Sequence, residues 1–347
     1  MDKYKNMGVF DAGTVRSSSS TPAATGGRFR TMDAQAVASG GAFLQSELEK
    51  RDPLVREPLT SVTYPRDIPI RVGGGWVDYV SAMNVGYGVT GGSEDGIVHA
   101  GGANGIPMVQ ADFGQELYKA HAVSVGLRVM WLDMQKNNLT GRNYDSLLKD
   151  GVRLTYDKHM DCNTYVGIKK YGTTGTLNNP NVPATNAADN GTGSTRWKDK
   201  TPDQILQDVN DAILMVWSAC ANDLSAIPNH ITMPYEQYNS LATRRVSELA
   251  EKTILDFLME HNVAKKNGSD LVIGGVNWCK GAGVGGTDRM AVYRNEERFI
   301  AMDELAPLNR AMTSPNTENV CYDTAYMANV SEVQLFYDQS MIYVDGI

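Results

Sequence analysis

The sequence is poor in the residue patterns that catalysis and cofactor chemistry require. Its four cysteines, Cys162, Cys220, Cys279 and Cys321, are far apart and form no Cys-x-x-Cys pair. That spacing leaves zinc and dithiol redox chemistry without a framework and argues against a disulfide scaffold in a chain this long. They read instead as small buried hydrophobes. The five histidines, His99, His121, His159, His230 and His261, include no H-E-x-x-H pair and none lies beside a cysteine, so each reads as a core or surface histidine. A G-x-S-x-G elbow and a Walker loop are also missing. No apolar run reaches the ~18 residues needed to cross a membrane. The opening Met1-Asp-Lys-Tyr-Lys-Asn-Met is followed by no apolar segment, so no signal peptide is expected and the chain is expected to fold in a reducing cytoplasm. A basic excess is lacking too: the formal net charge is −8, which excludes a protein that grips nucleic acid through phosphates. No catalytic, cofactor-binding or metal-binding residue can be assigned, and the chain is expected not to be an enzyme.

What is present suits a multi-part α+β structure. The 347 residues are 42% hydrophobic, enough for more than one core, and 34 glycines imply many turns. Residues 1–33 are polar and low in complexity, with a Ser/Thr tract at Ser17–Thr21, and read as an arm. A short helix is expected within Ala34–Arg56, ended by Pro53 and Pro58. Ser61–Val72 reads as a strand, Gly73–Gly75 as a turn, and Trp76–Thr90 as a second strand rich in Val, Tyr and Trp. Together they predict a long β-hairpin with no helix in sequence to cover it. An isolated hairpin is marginal in water, so this one is expected to lie on a neighbouring molecule.

Further strand signals run from Ile106 to Val129. The most informative stretch follows, Asn143–Val182. Asn143 is a good N-cap, and Leu148, Val152, Thr155, Tyr156 and His159 form a stripe one helix face wide. The helix runs into the loop Tyr171-Gly-Thr-Thr-Gly-Thr-Leu-Asn-Asn-Pro-Asn-Val, which carries no nucleophile or ligand cluster and reads as an element built to be packed against. Asn181–Lys200 reads as an exposed polar insertion.

A new unit opens at Thr201-Pro-Asp-Gln, where Thr201, Pro202 and Gln204 make a capping-box helix start. Ile205, Val209, Ala212, Val216 and Trp217 supply its buried face. A short strand (His230–Met233), a helix (Val246–His261) and strands at Leu271–Val276 and Met290–Tyr293 complete an α/β pattern. Alternating strand patterns close the chain at Val320–Tyr326 and Val333–Val344. The acid pairs Glu296-Glu297 and Asp303-Glu304 read as solvated loop residues between strands.

One pattern points to a ligand. Gly281-Ala-Gly283-Val-Gly-Gly286 fits G-x-G-x-x-G, but the dinucleotide fingerprint needs a helix N-terminus after the glycines. Thr287–Tyr293 reads as strand, so a dinucleotide-binding oxidoreductase is only the remote alternative. Asp288 and Arg289 beside the loop are expected to make polar contacts between subunits.

Taken in order, these elements resemble the major capsid protein of tailed bacteriophages, whose fold is shared with encapsulins and the herpesvirus capsid floor. The resemblance is carried by the long helix ending at Gly172-Thr-Thr-Gly-Thr-Leu-Asn-Asn-Pro, similar to the family's spine helix and its G-L-x-N-x-P loop, with Thr176-Leu177 in place of the usual Gly-Leu. Ile231-Thr-Met-Pro, Thr253-Ile-Leu-Asp-Phe-Leu-Met-Glu-His-Asn, Asp288-Arg-Met-Ala-Val-Tyr and Met341-Ile-Tyr-Val-Asp-Gly-Ile are similar to segments of that family. The resemblance implies an N-terminal arm (1–57), an extended β-hairpin loop (58–112) lying over the adjacent subunit, a peripheral domain with the spine helix (113–200 and 307–347) and an α/β axial domain (201–306). It also implies self-assembly into pentamers and hexamers of an icosahedral or prolate shell around double-stranded DNA. That DNA would be touched only by weak, non-specific contacts, as the acidic balance suits. Scaffolding, portal and decoration proteins would be further partners, with no membrane partner, assembly in the host bacterial cytoplasm and residence in the virion capsid. A nanocompartment shell of the encapsulin kind is the alternative.

Overall fold

The computed structural model describes residues 61–90, 108–140, 144–247 and 252–347. The expected arm and the helix within Ala34–Arg56 lie outside the described residues, as do Asn143 and His99. Two sheets organise what is described. The first has strands β1 (Ile70–Val72), β2 (Tyr79–Thr90), β3 (Met108–Met130), β8 (Ile300–Asn316) and β9 (Cys321–Ser331) in the order β1-β8-β9-β3-β2, with β10 (Gln334–Leu335) also on β8. The second has β4 (Ala184–Asn186), β11 (Met341–Asp345), β7 (Arg289–Tyr293), β5 (His230–Met233) and β6 (Val272–Gly275) in the order β4-β11-β7-β5-β6. Helices are α1 (Tyr64–Asp67), α2 (Trp131–Thr140), α3 (Tyr144–Val166), α4 (Pro202–Ala219), α5 (Tyr235–Thr243), α6 (Ile254–His261) and α7 (Val263–Lys266).

Strands β7 and β11 are buried along their whole length. This is the signature of strands covered on both faces. Their alternate residues feed two different cores. Met290, Val292, Ile342 and Val344 join Ile205, Val209, Ile213 and Val216 of α4. Ala291, Tyr293, Met341 and Tyr343 join Tyr156, Met160 and Tyr165 of α3 together with Met302 and Val330 of the first sheet. One pair of strands therefore cements both halves, because side chains alternate faces along a strand.

The C-terminus of α3 shows why its loop has the composition it has. A helix leaves its last carbonyls without intrahelical partners. Here the carbonyl of Asn163 accepts from Gly167 N (3.0 Å), that of Thr164 from Thr176 N (2.8 Å), and that of Tyr165 from Leu177 N (3.0 Å). The carbonyl of Val166 accepts from Asn178 Nδ2 at 2.6 Å, and Thr176 Oγ1 adds a second bond to Thr164 O at 2.8 Å. The loop is thus the helix's cap, and its close approach requires glycine at 175. A Cβ there would sit 2.4 Å from the carbonyl carbon of Tyr165.

Asp67, at the end of α1, is fully buried. Its carboxylate accepts from Arg66 Nε (2.6 Å) and Nη2 (2.9 Å), from Tyr165 Oη, and from His230 Nε2 (2.8 Å). Its backbone carbonyl accepts from Tyr293 Oη at 2.7 Å. Burial alone would raise the carboxyl pKa, but the bonds from His230, Arg66 and Tyr165 outweigh it and hold it below the usual range.

Several expectations are corrected. Ser61–Val72 is not one strand: Pro65 starts the helical turn α1, and only Ile70–Val72 is extended. The predicted hairpin between that segment and Trp76–Thr90 does not form. Strand β1 runs parallel to β8, and β2 pairs antiparallel with β3, from Tyr79↔Lys119 to Thr90↔Met108. Helix α6 begins at Ile254 rather than Val246, because Thr253 Oγ1 caps it by accepting from Asp256 N at 3.2 Å. Asp303 is on strand β8, not a loop, and is buried against Arg71 and Gln334. The insertion Asn181–Lys200 is not wholly exposed: Trp197 and Lys200 are buried, both bonded to the Asp208 carboxylate. The Thr201 capping box, by contrast, forms as read. The final alternating segment Val333–Val344 is interrupted by a 3-10 turn at Asp338–Ser340.

Beneath β3 and α3, His121 stacks on Tyr171 (centroids 5.5 Å apart) and meets His159 edge-on (5.8 Å). Neither His121 ring nitrogen has a hydrogen-bond partner among the described residues, nor does His159 Nε2. Burial, and then the charge of His159, push the His121 pKa from 6.5 down to about 4.

Two predictions follow from these packings. Replacing Gly175 by Ala forces a methyl group against backbone that cannot move aside, so a loss of about 3 kcal/mol or more is expected in urea denaturation. A loss under 1 kcal/mol would contradict the capping account. For His121, the unfolded chain takes up its proton near pH 6.5 but the folded chain only near 4. Stability is therefore full above about pH 6.5 and falls toward pH 4, by on the order of 3 kcal/mol for this ring. In His121→Phe, which keeps the stack, the denaturation midpoint should drop less between pH 7.5 and 5.0 than in the native chain. Equal drops would show that the ring is not the acid-sensitive group.

Candidate assembly interface

The glycine loop does not have the geometry of a dinucleotide site. Strand β7 follows it directly, and the amides that would face a phosphate are already used. Gly281 N donates to Asp288 Oδ1 (3.0 Å) and Val284 N to Asp345 Oδ2 (3.0 Å), while Gly283 N bonds Thr287 O at 2.8 Å. Asp345 is held bidentate by buried Arg289, whose Nη1 also donates to Leu177 O at 2.6 Å. Arg289, buried, is thus spent within the chain, whereas Asp288 is half-buried and also accepts from Gly281 N. A Cβ at Gly283 would lie 2.5 Å from Thr287 Oγ1 and 2.8 Å from Asp345 Oδ1, so the fold itself requires this glycine.

Other groups singled out in the sequence are held by burial or by contacts within the chain. None of the four cysteines is in a disulfide, and Cys162, Cys279 and Cys321 are buried. Burial pushes the Cys162 thiol up to about 11 and Cys279 up to about 12, so neither offers a thiolate near neutral pH. Glu296 pairs with Arg294 and Glu304 accepts from Tyr156 Oη at 2.7 Å. Among the described residues, no group of three or more His, Cys, Asp or Glu side chains is placed to hold a metal ion, and no helix is long and apolar enough to cross a membrane.

Among the described residues, the longest stretch of exposed apolar side chains lies on the β2–β3 hairpin. Strand β3 is 23 residues long and changes partner midway: its first half pairs with β2, its second half, from Ala120, with β9. The root is fastened at that switch. Lys119 N donates to Glu332 Oε1 (2.7 Å), Glu332 N to Lys119 O (2.9 Å), and Asn329 Nδ2 to the carbonyls of Gly75 (3.1 Å) and Val77 (2.9 Å). Beyond the root, side chains are exposed along most of both strands.

The two faces differ. Directly opposed residues of an antiparallel pair share a face. The pairs Val85–Phe113, Met83–Gln115, Ser81–Leu117 and Tyr87–Ala111 place the odd-numbered residues together. Tyr87 is 77% exposed, Met83 72% and Phe113 67%. The even-numbered face carries Asn84, Gln110, Asp112, Glu116 and three glycines, with Met108 apolar at the tip and Val80 and Tyr118 half-buried at the root. Near the root this face is closed on the chain's own body. Asn84 Nδ2 donates to Glu116 Oε1 (3.0 Å), and Tyr118 Oη to Glu116 Oε2 (2.8 Å) and Leu335 O (2.9 Å), with the Tyr118 ring against Phe336. The strand signal over Ile106–Val129 is borne out, but the partner expected for Trp76–Thr90 was the wrong one: β2 pairs with β3, not with Ser61–Val72. The signal was available in the alternation Val109, Ala111, Phe113, which matches Met83, Val85, Tyr87.

Known proteins resemble the chain in both sequence and fold. The sequence model of the Major capsid protein family matches residues 95–347. The capsid of Myoviridae phage XM1 superposes with a TM-score of 0.70 at 17% identity, covering 87% of this chain and 98% of that one. The native GTA particle capsid gives 0.60 at 10% identity over 89% and 98% of the two chains, and Microbacterium phage Oxtober96 gives 0.58 at 12% over 88% and 98%. No curated protein matches in sequence. A family match over most of the chain, joined to a fold shared over nearly the whole of these capsid chains, places this protein in the Major capsid protein family.

Proposed function

We propose that this chain assembles with copies of itself, as pentamers and hexamers, into a closed icosahedral or prolate shell around double-stranded DNA in the host bacterial cytoplasm. The observation that carries the reading is the β2–β3 hairpin, fastened among its described residues at the root and apolar on one exposed face, in a chain of the Major capsid protein family. We assign residues 1–57 to an arm, 58–112 to the extended loop with its far strand returning to Lys119, 113–200 with 307–347 to a peripheral domain, and 201–306 to an axial domain. The role is structural rather than enzymatic. A net charge of −8 suits a container that holds DNA without binding its phosphates tightly. Portal, scaffolding and decoration proteins would be its further partners.

Electron microscopy of the purified full chain tests this reading, with closed particles expected. The pairing Tyr79↔Lys119 lets Val80–Tyr118 be replaced by a two-residue turn without disturbing β1 or Asp67. That shortened chain should stay folded and soluble but form no particles. Normal particles from it would remove the hairpin from assembly, and no particles from the full chain under any condition would overturn the shell reading.

A further inference from the structure

We infer that the hairpin is a one-sided clasp: its odd-numbered face, Tyr79, Met83, Val85, Tyr87, Phe113 and Leu117, docks on a second copy of this chain, while its even-numbered face does not. The inference rests on the shell reading, which supplies the second copy, and adds which side of the hairpin does the holding. Three observations separate the faces.

The first is exposure. The six odd-numbered side chains are between 43% and 77% exposed. With Val109 on the same face they present on the order of 900 Å² of surface, comparable to the ~800 Å² per partner of a standard interface. Patches of this size on a lone subunit mark an interaction surface. The second is polar satisfaction. The even face already has an internal ladder, Asn84–Glu116–Tyr118, tied to the chain's own Leu335 carbonyl. On the odd face the polar side chains Ser81, Gln115 and Lys119 are spaced widely between apolar ones, with Lys119 at the root donating to the Tyr171 and Gly172 carbonyls (both 3.4 Å). The third is charge. Asp112 and Glu116 put acid on the even face, and in a chain of net charge −8 that face repels another copy more than it attracts one. The glycines of the even face, Gly86, Gly88 and Gly114, offer no side chain to anchor a contact, while aromatic residues and Met on the odd face are the types enriched where proteins bind each other.

The test places a single cysteine on each face of the full chain in a Cys220→Ser background, since the other native thiols are buried. Phe113→Cys and Gln110→Cys are compared by maleimide labelling in free subunits and in assembled particles. Both should label fully in subunits, and in particles the thiol at 113 should label at least tenfold more slowly while that at 110 stays reactive. Because a substitution at 113 could itself block assembly, the Phe113→Cys chain is co-assembled as a minor fraction with native chain. A second pair, Met83→Asp and Ala82→Asp, reports on assembly directly: the first should abolish particles in a folded, soluble chain and the second should leave them. If thiols at 113 and 110 stay equally reactive in particles, or 110 is the protected one, the clasp assignment is wrong while the shell stands. If the native chain remains a monomer at every concentration, the second copy is removed and both readings fall together.

Discussion

A single buried carboxylate constrains how the parts of this protein can be arranged. Asp67 has no contact with water, and a buried charge is tolerated only when it is paired and hydrogen-bonded. Its partners come from three separate places: Arg66 beside it, Tyr165 in the last turn of α3, and His230 at the start of β5. Tyr293 of β7 adds a bond to the same residue's carbonyl. The segment entering β1, the spine-like helix and the second sheet must all meet at this point. Removing one member of such a cluster typically costs about 3–5 kcal/mol, because the others are left buried and uncompensated. That penalty makes the meeting point a condition of folding rather than a minor contact.

The same economy of placement recurs around it. Strands β7 and β11 give one face to each core, so neither core can form fully without the other. Arg289 then links the ends of these strands to the α3 loop, by bonding Asp345 and the Leu177 carbonyl together. The loop in turn satisfies the last carbonyls of α3. Each polar group that closes one element thus positions the next. Among the described residues the two cores are closed by these contacts, while the hairpin carries a long row of apolar side chains that the body leaves uncovered.

What could be read from sequence was what is local. Thr201, Pro202 and Gln204 signal a helix start within four residues, and the capping box forms as read. The stripe on α3 and the short apolar runs of β5 and β7 were legible for the same reason. Pairing between distant segments was not. Strand β2 finds its partner across residues 91–107, and Asp67 bonds residues 98, 163 and 226 positions away. Strand β8 gave no clear signal because Pro307 and Pro315 interrupt it and its pairing with β9 shifts register three times. Thr253-Ile-Leu-Asp was a legible helix start, but the apolar Val246 and Leu249 upstream masked it. As for the interface, an uncovered hairpin could be inferred, whereas which residues share its exposed face depends on a register that only the fold supplies.

A body held together by its own polar closures and a hairpin left for neighbours should differ in protection before and after assembly. Hydrogen exchange measured on free subunits and on assembled particles compares them residue by residue. The account predicts that amides of β5, β7 and α3 are well protected in both states, while those of Tyr79–Val89 and Val109–Leu117 exchange quickly in free subunits and gain at least tenfold protection in particles. Hairpin amides that are equally protected in the free subunit would contradict it, because the hairpin would then need no neighbour.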